Sequence, residues 1–177
     1  LVEVAGVVGE VAAEKLRLSI ATGGTGGVYY PYGGGIARLL SARVPGMQVT
    51  AEVTGGSVDN VKLVGAGDAD IGFSTIDSAV DGVAGVGAYK DTGPQKIQAI
   101  AVLYDSFVHV VTRTDSKIAK VAQMKGKRVS VGSAGSSTEA IADRLLEAAG
   151  LNPMKDVTRD NLGVSESVAA LKDGKID

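Results

Sequence analysis

Apolar positions follow two patterns along the first half of the chain. In some segments apolar and polar residues alternate, as from Leu16 to Ala21, which is typical of a strand. In others apolar residues recur every three or four positions, as from Ile36 to Val44, which is typical of a helix. These patterns predict strands at 16–21, 47–53, 69–73 and 97–103, with helices after the loops at 22–30, 54–57 and 74–77. Strands and helices that alternate in this way predict a parallel sheet with covering helices, hence an α/β fold.

The same order begins again in the second half. Residues 127–131 predict a strand and 137–149 a helix, which Ser136 and Glu139 open as a capping box. A further helix is predicted at 164–172. Since this half shows one clear strand, and one strand cannot form a sheet, we expect its lobe to be incomplete in this chain or to be built partly by other segments.

The two repeats of this order predict two lobes. We place the first lobe, with the ligand-binding α/β pattern, at residues 15–105. Residues 106–177 contain the crossover and a partial second lobe, and we place the junction between the lobes near residues 104–113, where 107–112 is an extended run. The segment 81–96 is rich in glycine and is predicted to be a surface excursion.

Composition and charge exclude several classes of function. The net charge of -2 argues against a nucleic-acid partner, because proteins that bind nucleic acids have a basic surface. The chain has no cysteine, so thiol catalysis and thiolate metal sites are excluded, and its single histidine, His109, lies in an apolar run that favours a structural role. We therefore expect no metal and no cofactor. The N-terminal run Leu1 to Ala13 has no basic start and is not an intact signal peptide.

Four loops that join a strand to a helix carry the candidate chemistry. They are Thr22–Tyr30, Thr54–Ser57, Ser74–Asp77 and Gly132–Thr138, and each is rich in Gly, Ser or Thr. In parallel sheets such loops lie at the carboxyl ends of the strands, where ligands bind. Free N–H groups at helix N-termini and neighbouring hydroxyls suit a small anion such as a carboxylate. For a single loop the pattern is equally typical of a turn or a helix cap; four together favour binding.

The candidate ligand-binding residues come from these four loops, with Tyr104 added near the predicted crossover. Ser57 is also predicted to be the N-cap of its helix. The complete set is Gly24, Thr25, Tyr29, Gly56, Ser57, Ser74, Tyr104, Ser133, Gly135, Ser136, Ser137 and Thr138.

Motifs for catalysis are weaker. The glycines at 23–27 miss the dinucleotide-binding spacing, because Tyr29 stands where the last glycine belongs. No nucleophile-elbow motif surrounds Ser57, Ser74 or Ser133. Two alternatives to a binding protein stay open at this point: an α/β hydrolase or transferase acting on a small anionic metabolite, and a structural surface protein without a ligand.

Four segments, in this order and at this spacing, resemble the TAXI family, the solute-binding proteins of tripartite ATP-independent periplasmic (TRAP) transporters. The segments are Ile20–Tyr30, Thr54–Asn60, Ala69–Ser74 and Val131–Glu139. The resemblance extends over residues 15–177.

This resemblance implies a periplasmic-binding-protein-like (Venus flytrap) fold, with two lobes of mixed, mainly parallel sheets and a second lobe that is incomplete in this chain. It also implies a non-enzymatic periplasmic receptor that closes on a small carboxylate or amino acid, glutamate-like, in the interlobe cleft. The implied partners are the membrane subunits of a TRAP transporter. Export is implied by the resemblance alone, since this chain shows no signal peptide.

Overall fold

The computed structural model describes residues 15–177, which form two α/β units, each with its own parallel sheet. The first unit contains β1 (Leu16–Ala21), α1 (Tyr29–Arg43), β2 (Met47–Glu52), α2 (Ser57–Ala66), β3 (Ile71–Gly72) and α3 (Ile76–Ala84). The second contains β4 (Arg128–Ser130), α4 (Ser137–Ala148), β5 (Thr158–Asp160) and α5 (Val164–Lys172). Short 3₁₀ turns lie at Gly87–Tyr89, Thr114–Ser116 and Val121–Met124. The run Leu1 to Ala13 lies outside the described residues.

The sheet of the first unit has the order β2-β1-β3, with all neighbours parallel. Leu16 pairs with Met47 at one end of β1, and Ile20 pairs with Ile71 near the other. Because the three strands are parallel, the loops that follow them lie at the same edge of the sheet. This is the parallel α/β arrangement that the sequence predicts.

Helix α1 begins earlier than the sequence pattern predicts, at Tyr29 rather than near Ile36. Pro31 is its third residue, a position in the first turn where the missing N–H breaks no helical hydrogen bond. Gly33 lies in the helix and faces the sheet, since a Cβ at this position would lie 2.5 Å from Thr22 Cγ2 and 3.2 Å from the Phe73 ring. The glycines that predict a loop therefore partly serve close packing of a helix on the sheet.

The predicted strand at 97–103 is wrong. Residues 97–113 have no regular secondary structure, and Ile100 and Val102 are 80% and 87% exposed. Alternation of apolar residues predicts a strand only where a neighbouring strand can pair with it, and none in the described residues pairs with this segment. His109 is also exposed, so it does not have the buried structural role that its apolar neighbours predict.

The second unit has two strands where the sequence shows one. β4 and β5 pair in parallel, with Arg128 opposite Thr158 and Ser130 opposite Asp160. The strand β5 is polar, so apolar periodicity gives no sign of it. The core beneath this sheet contains Met124, Leu146, Leu151 and Val157.

Two further boundaries differ from expectation. Gly56, at φ +126, takes the N-cap position of α2, so Ser57 is the first helical residue rather than the cap. The predicted excursion at 81–96 includes the end of α3 and the buried Tyr89, whose hydroxyl lies 2.6 Å from Ser78 Oγ. The predicted division into lobes at residue 105 stays a prediction, although no strand is shared between the two sheets.

Candidate anion site where three helices begin

The N-termini of α2, α3 and α4 meet between the two units. A Cβ built on Gly56, the N-cap of α2, would lie 3.3 Å from Cα of Ser136, the N-cap of α4. Ser57 Oγ lies 3.2 Å from Ser137 Oγ and accepts a hydrogen bond of 3.2 Å from the backbone N–H of Thr75, the N-cap of α3. Each helix N-terminus carries a partial positive charge, so three of them together favour a negatively charged group.

The two units touch directly at this place. The backbone N–H groups of Val58 and Asp59 both donate to the carbonyl oxygen of Gly135, at 3.1 Å each. A Cβ on Gly55 would overlap the carbonyl oxygen of Ala134. The donors at the start of α2, which the sequence predicts to be ligand donors, are therefore occupied by an oxygen from the second unit.

Ser136 acts as a helix cap. Its Oγ accepts a hydrogen bond of 3.2 Å from the backbone N–H of Glu139, as the capping box predicts. The return bond differs from the prediction, since the Glu139 carboxylate accepts from the N–H of Gly135, at 3.2 Å, and not from that of Ser136. The carboxylate therefore bonds to Gly135, the residue before the N-cap of α4, rather than to the N-cap residue itself.

Thr75 is a candidate that the sequence-based set misses. Its Oγ1 is buried and has no hydrogen-bond partner among the described residues, although the residue stands at the N-cap of α3. A buried hydroxyl without a partner costs about 1–3 kcal/mol, which a ligand oxygen can offset. The signal in the sequence is a Thr directly before a helix, the N-cap position, whereas the candidate set contains Ser74, one position earlier.

Ser74, Ser133 and Thr138 lie near this junction and have other contacts. Ser74 Oγ donates to the carbonyl oxygen of Thr75, at 2.9 Å. Ser133 Oγ would lie 3.7 Å from a Cβ on Gly163, the N-cap of α5. Thr138 is exposed and lies over Gly132.

The first loop lies to one side of the three helix starts. Gly24 has open space around its Cα, and Thr25 is exposed. Gly26 packs closely against Ser165 at the start of α5, while Gly23 lies beside Tyr29 and Gly56. The loop therefore contacts both units.

Aromatic rings form a cluster beside the first loop. Tyr29 stacks on Phe73 with the ring centroids 5.2 Å apart, and the ring of Tyr32 meets Phe73 edge-on at 6.0 Å. Tyr104 contacts Tyr32 with the centroids 6.0 Å apart. Burial raises the pKa of the Tyr104 phenol, and the neighbouring Tyr29 and Tyr32 raise it further. The structure thus brings together two predicted site residues, Tyr29 and Tyr104, through two rings outside the candidate set.

An ion pair also joins the two units. Arg144 on α4 lies 3.3 Å from Asp77 on α3 and pairs more closely with Asp81 on the same helix. Residues 15–177 contain no group of three or more His, Asp or Glu side chains arranged to hold a metal ion. Within the same range no helix has the length and apolar character that crossing a membrane requires.

The sequence and the fold both match known proteins. Residues 20–177 match the NMT1-like family. The alkanesulfonate-binding protein SsuA from Xanthomonas axonopodis pv. citri, in a structure with bound MOPS, gives a TM-score of 0.55 at 25% identity, over 94% of this chain and 54% of that one. The periplasmic aliphatic sulphonate-binding protein SsuA from Escherichia coli gives a TM-score of 0.49 at 20% identity, over 92% of this chain and 52% of that one.

This chain therefore spans about half the length of the solved structures that it matches. The similarity to the Xanthomonas protein confirms the predicted periplasmic-binding-protein-like α/β fold. The match of the family pattern extends over both α/β units and all four candidate loops. On this evidence the protein is a member of the NMT1-like family.

Proposed function

We propose that the protein is a periplasmic solute receptor, without enzymatic activity, that binds a small anion between its two α/β units. The observation that carries the proposal is the meeting of three helix N-termini with the hydroxyls of Ser57, Thr75 and Ser137. Each helix end favours a negative charge by about 0.3–1 kcal/mol, more where it is partly buried. The hydroxyls and N–H groups add donors without a fixed positive charge, so the site suits an oxyanion that must be released again.

Two classes of oxyanion fit these donors, a carboxylate and a sulfonate. The resemblance of the four loops to TAXI receptors favours a carboxylate or amino acid, with glutamate-like ligands first. The Xanthomonas SsuA structure contains MOPS, a sulfonate, in a protein with a similar fold. We place the carboxylate first because the loop resemblance concerns the residues at the site, whereas the SsuA similarity concerns the fold.

Opening and closing of the two units is the mechanism that this geometry favours. The Gly135 carbonyl occupies the N–H groups at the start of α2, so a ligand oxygen reaches them only when the units separate. On closure the ligand then takes the place of the Gly135 carbonyl, so its contacts with both units must outweigh the contact that it displaces. On the TAXI resemblance, we propose that the closed receptor delivers its ligand to the membrane subunits of a TRAP transporter.

A thermal-shift series followed by calorimetry tests the proposal. The purified protein is screened in Tris buffer, because buffers such as MOPS are themselves sulfonates. The ligands are L-glutamate, dicarboxylates and short alkanesulfonates. A true ligand at about 100 times its Kd stabilises the folded protein by about 2.7 kcal/mol, which raises Tm.

Two controls make the result decisive. The double variant Ser57→Ala, Ser137→Ala should show a smaller rise in Tm at the same ligand concentration, since both hydroxyls lie at the site. The bound compound, recovered after hours and examined by NMR, should be unchanged; its conversion would support the α/β hydrolase or transferase instead. If no anion raises Tm, the receptor proposal is wrong.

A further inference from the structure

The carboxylate of Glu139 is the centre of a hydrogen-bond network behind the candidate site. One oxygen accepts the N–H of Gly135, at 3.2 Å. The other accepts the side-chain amide of Asn161, at 2.8 Å, and a guanidinium N–H of Arg159, at 3.0 Å. One side chain of α4 thus connects the Gly132–Thr138 loop to the end of the β5 strand.

Arg159 is the cation of this network. It lies on β5, its side chain is 13% exposed, and it pairs with Asp143 as well as Glu139, both on α4. Burial lowers the pKa of this guanidinium, but the hydrogen bonds to and charges of Asp143 and Glu139 outweigh burial and raise it. The side chain therefore stays charged and fixes both carboxylates.

Asn161 completes the support of the loop. Its amide donates to Glu139 and also, at 3.1 Å, to the carbonyl oxygen of Gly132, the first residue of the loop. The loop is consequently held at its start by Asn161 and at Gly135 by Glu139. Neither contact involves Ser136, the residue that caps α4.

We propose that Arg159 is a positioning residue of the anion site: it orients and neutralises Glu139, and so holds the Gly132–Thr138 loop in the form that accepts an anion. This inference rests on the proposed function. Without Arg159, the negative charge of Glu139 has no positive partner among residues 15–177. This carboxylate accepts a hydrogen bond from the N–H of Gly135, beside the place where the anion binds. The charge repels an anion, and the carboxylate loses the bond that sets its rotamer.

The test compares charge variants with L-glutamate and MOPS as calorimetric probes, again in Tris buffer. Arg159→Met should weaken the binding of whichever probe the wild-type protein binds by about tenfold or more. This is the lower end of the loss in affinity seen when residues that support a metal ligand are substituted. Adding Glu139→Gln to Arg159→Met removes the uncompensated charge that contacts Gly135, while the charge of Asp143 remains, and should restore most of the affinity. Arg159→Lys keeps the charge and should bind more tightly than Arg159→Met.

The matched control is Lys125→Met, which removes a surface ion pair of 3.2 Å with Asp156 in the same unit and should leave affinity unchanged. Recovery by the second substitution separates positioning from mere packing, since a packing defect is not repaired by changing Glu139. Unchanged affinity in a folded Arg159→Met variant, or no recovery in the double variant, overturns the inference.

A measurement without ligand keeps the inference separate from the proposed function. Amide hydrogen exchange at Gly135, whose N–H donates to Glu139, should accelerate in Arg159→Met and stay slow in Arg159→Lys. If the wild-type protein binds neither probe, the receptor proposal fails for these anions, and exchange at Gly135 alone decides the positioning role. Equal exchange in Arg159→Met and wild type overturns it.

Discussion

The side-chain oxygens of Ser57 and Ser137 lie 3.2 Å apart, although eighty positions separate the two residues in the chain. Ser57 is the first residue of α2 and Ser137 the first of α4, so their contact joins one helix start from each unit. Ser57 is 1% exposed and also accepts the N–H of Thr75. The pair therefore lies at the centre of the junction where we propose that an anion binds.

Removal of this pair should weaken ligand binding and also lower the free energy of unfolding by about 1–3 kcal/mol, because the N–H of Thr75 loses its acceptor, Ser57 Oγ. In the variant Ser57→Ala, Ser137→Ala, two donors to the anion are lost, which corresponds to about 1–3 kcal/mol in calorimetry with the ligand found by the screen. Ser130 and Ser167 form a similar hydroxyl pair of 2.7 Å inside the second unit, so Ser130→Ala is the matched control. Equal affinity in the double variant and this control would remove both serines from the site.

Ser136 requires separate treatment, because its hydroxyl caps α4. Ser136→Ala should lower the free energy of unfolding by about 0.5–2 kcal/mol, as loss of an N-cap does, in urea unfolding without ligand. Ser137→Ala should change it much less, since the Ser137 hydroxyl bonds to Ser57 rather than to its own helix. Equal stabilities would contradict the assignment of the cap.

Gly55→Ala should separate the two units. A Cβ at residue 55 overlaps the carbonyl oxygen of Ala134, which belongs to the other unit, while the backbone of Gly55 needs no positive φ. The chain has no cysteine, so two cysteines can be introduced and labelled with a donor and an acceptor dye. Arg38→Cys and Glu147→Cys place one label at an exposed position in each unit. Energy transfer in the ligand-free protein should fall on substitution.

The matched control for this prediction is Gly34→Ala, because a Cβ there meets nothing within 4 Å. Its energy transfer should equal that of the parent protein. An unchanged signal in Gly55→Ala would show that the two loops do not touch in solution.

The ion pair of Arg144 with Asp77 and Asp81 should make closure sensitive to salt. In the same dye-labelled protein, energy transfer should decline as NaCl rises toward about 1 M, where the screening length is about 3 Å. Arg144→Met should lower the signal at low salt and flatten this dependence. Since Arg144 is 47% exposed, we expect an effect of at most about 1 kcal/mol. A salt dependence as steep in Arg144→Met as in the parent would assign the effect to other charges.

Two adjacent glycines of α1 should respond in opposite directions to alanine. Gly33→Ala places a Cβ against Thr22 and Phe73 and should destabilise the protein by about 1–3 kcal/mol in urea unfolding. Gly34→Ala meets open space in the same helix and should stabilise it by about 0.5–1 kcal/mol. If both changes stabilise, α1 does not pack on the sheet as described.

The sequence predicts those elements whose signal is local. β1, β2 and α5 follow from apolar periodicity, and their observed bounds agree within about two residues. The sequence-based predictions for β5 and for residues 97–103 are wrong for opposite reasons. β5 is a polar strand that pairs with β4, so it has no apolar pattern to detect. Residues 97–103 have the apolar pattern, but no strand in residues 15–177 pairs with them.

The candidate site divides in a similar way. The structure brings together five predicted residues through the contact between the two units, since two follow β2 of the first sheet and three follow β4 of the second. They are Gly56, Ser57, Gly135, Ser136 and Ser137. The sequence predicts that the Ser136 hydroxyl caps α4, as the structure shows, although the candidate set also counts it as a ligand donor. The set omits Thr75, because the sequence gives no sign that its hydroxyl is buried without a hydrogen-bond partner among residues 15–177.

The carbonyl oxygen of Gly135 competes with any ligand oxygen for the N–H groups of Val58 and Asp59. The apparent dissociation constant is then the intrinsic one divided by the fraction of molecules in which these groups are free. If that fraction is about one tenth, the proposed receptor needs about ten times more solute for half-saturation. The concentration range in which it would respond is therefore set partly by a contact of the protein with itself, and substitutions that weaken this contact would shift the range without altering selectivity.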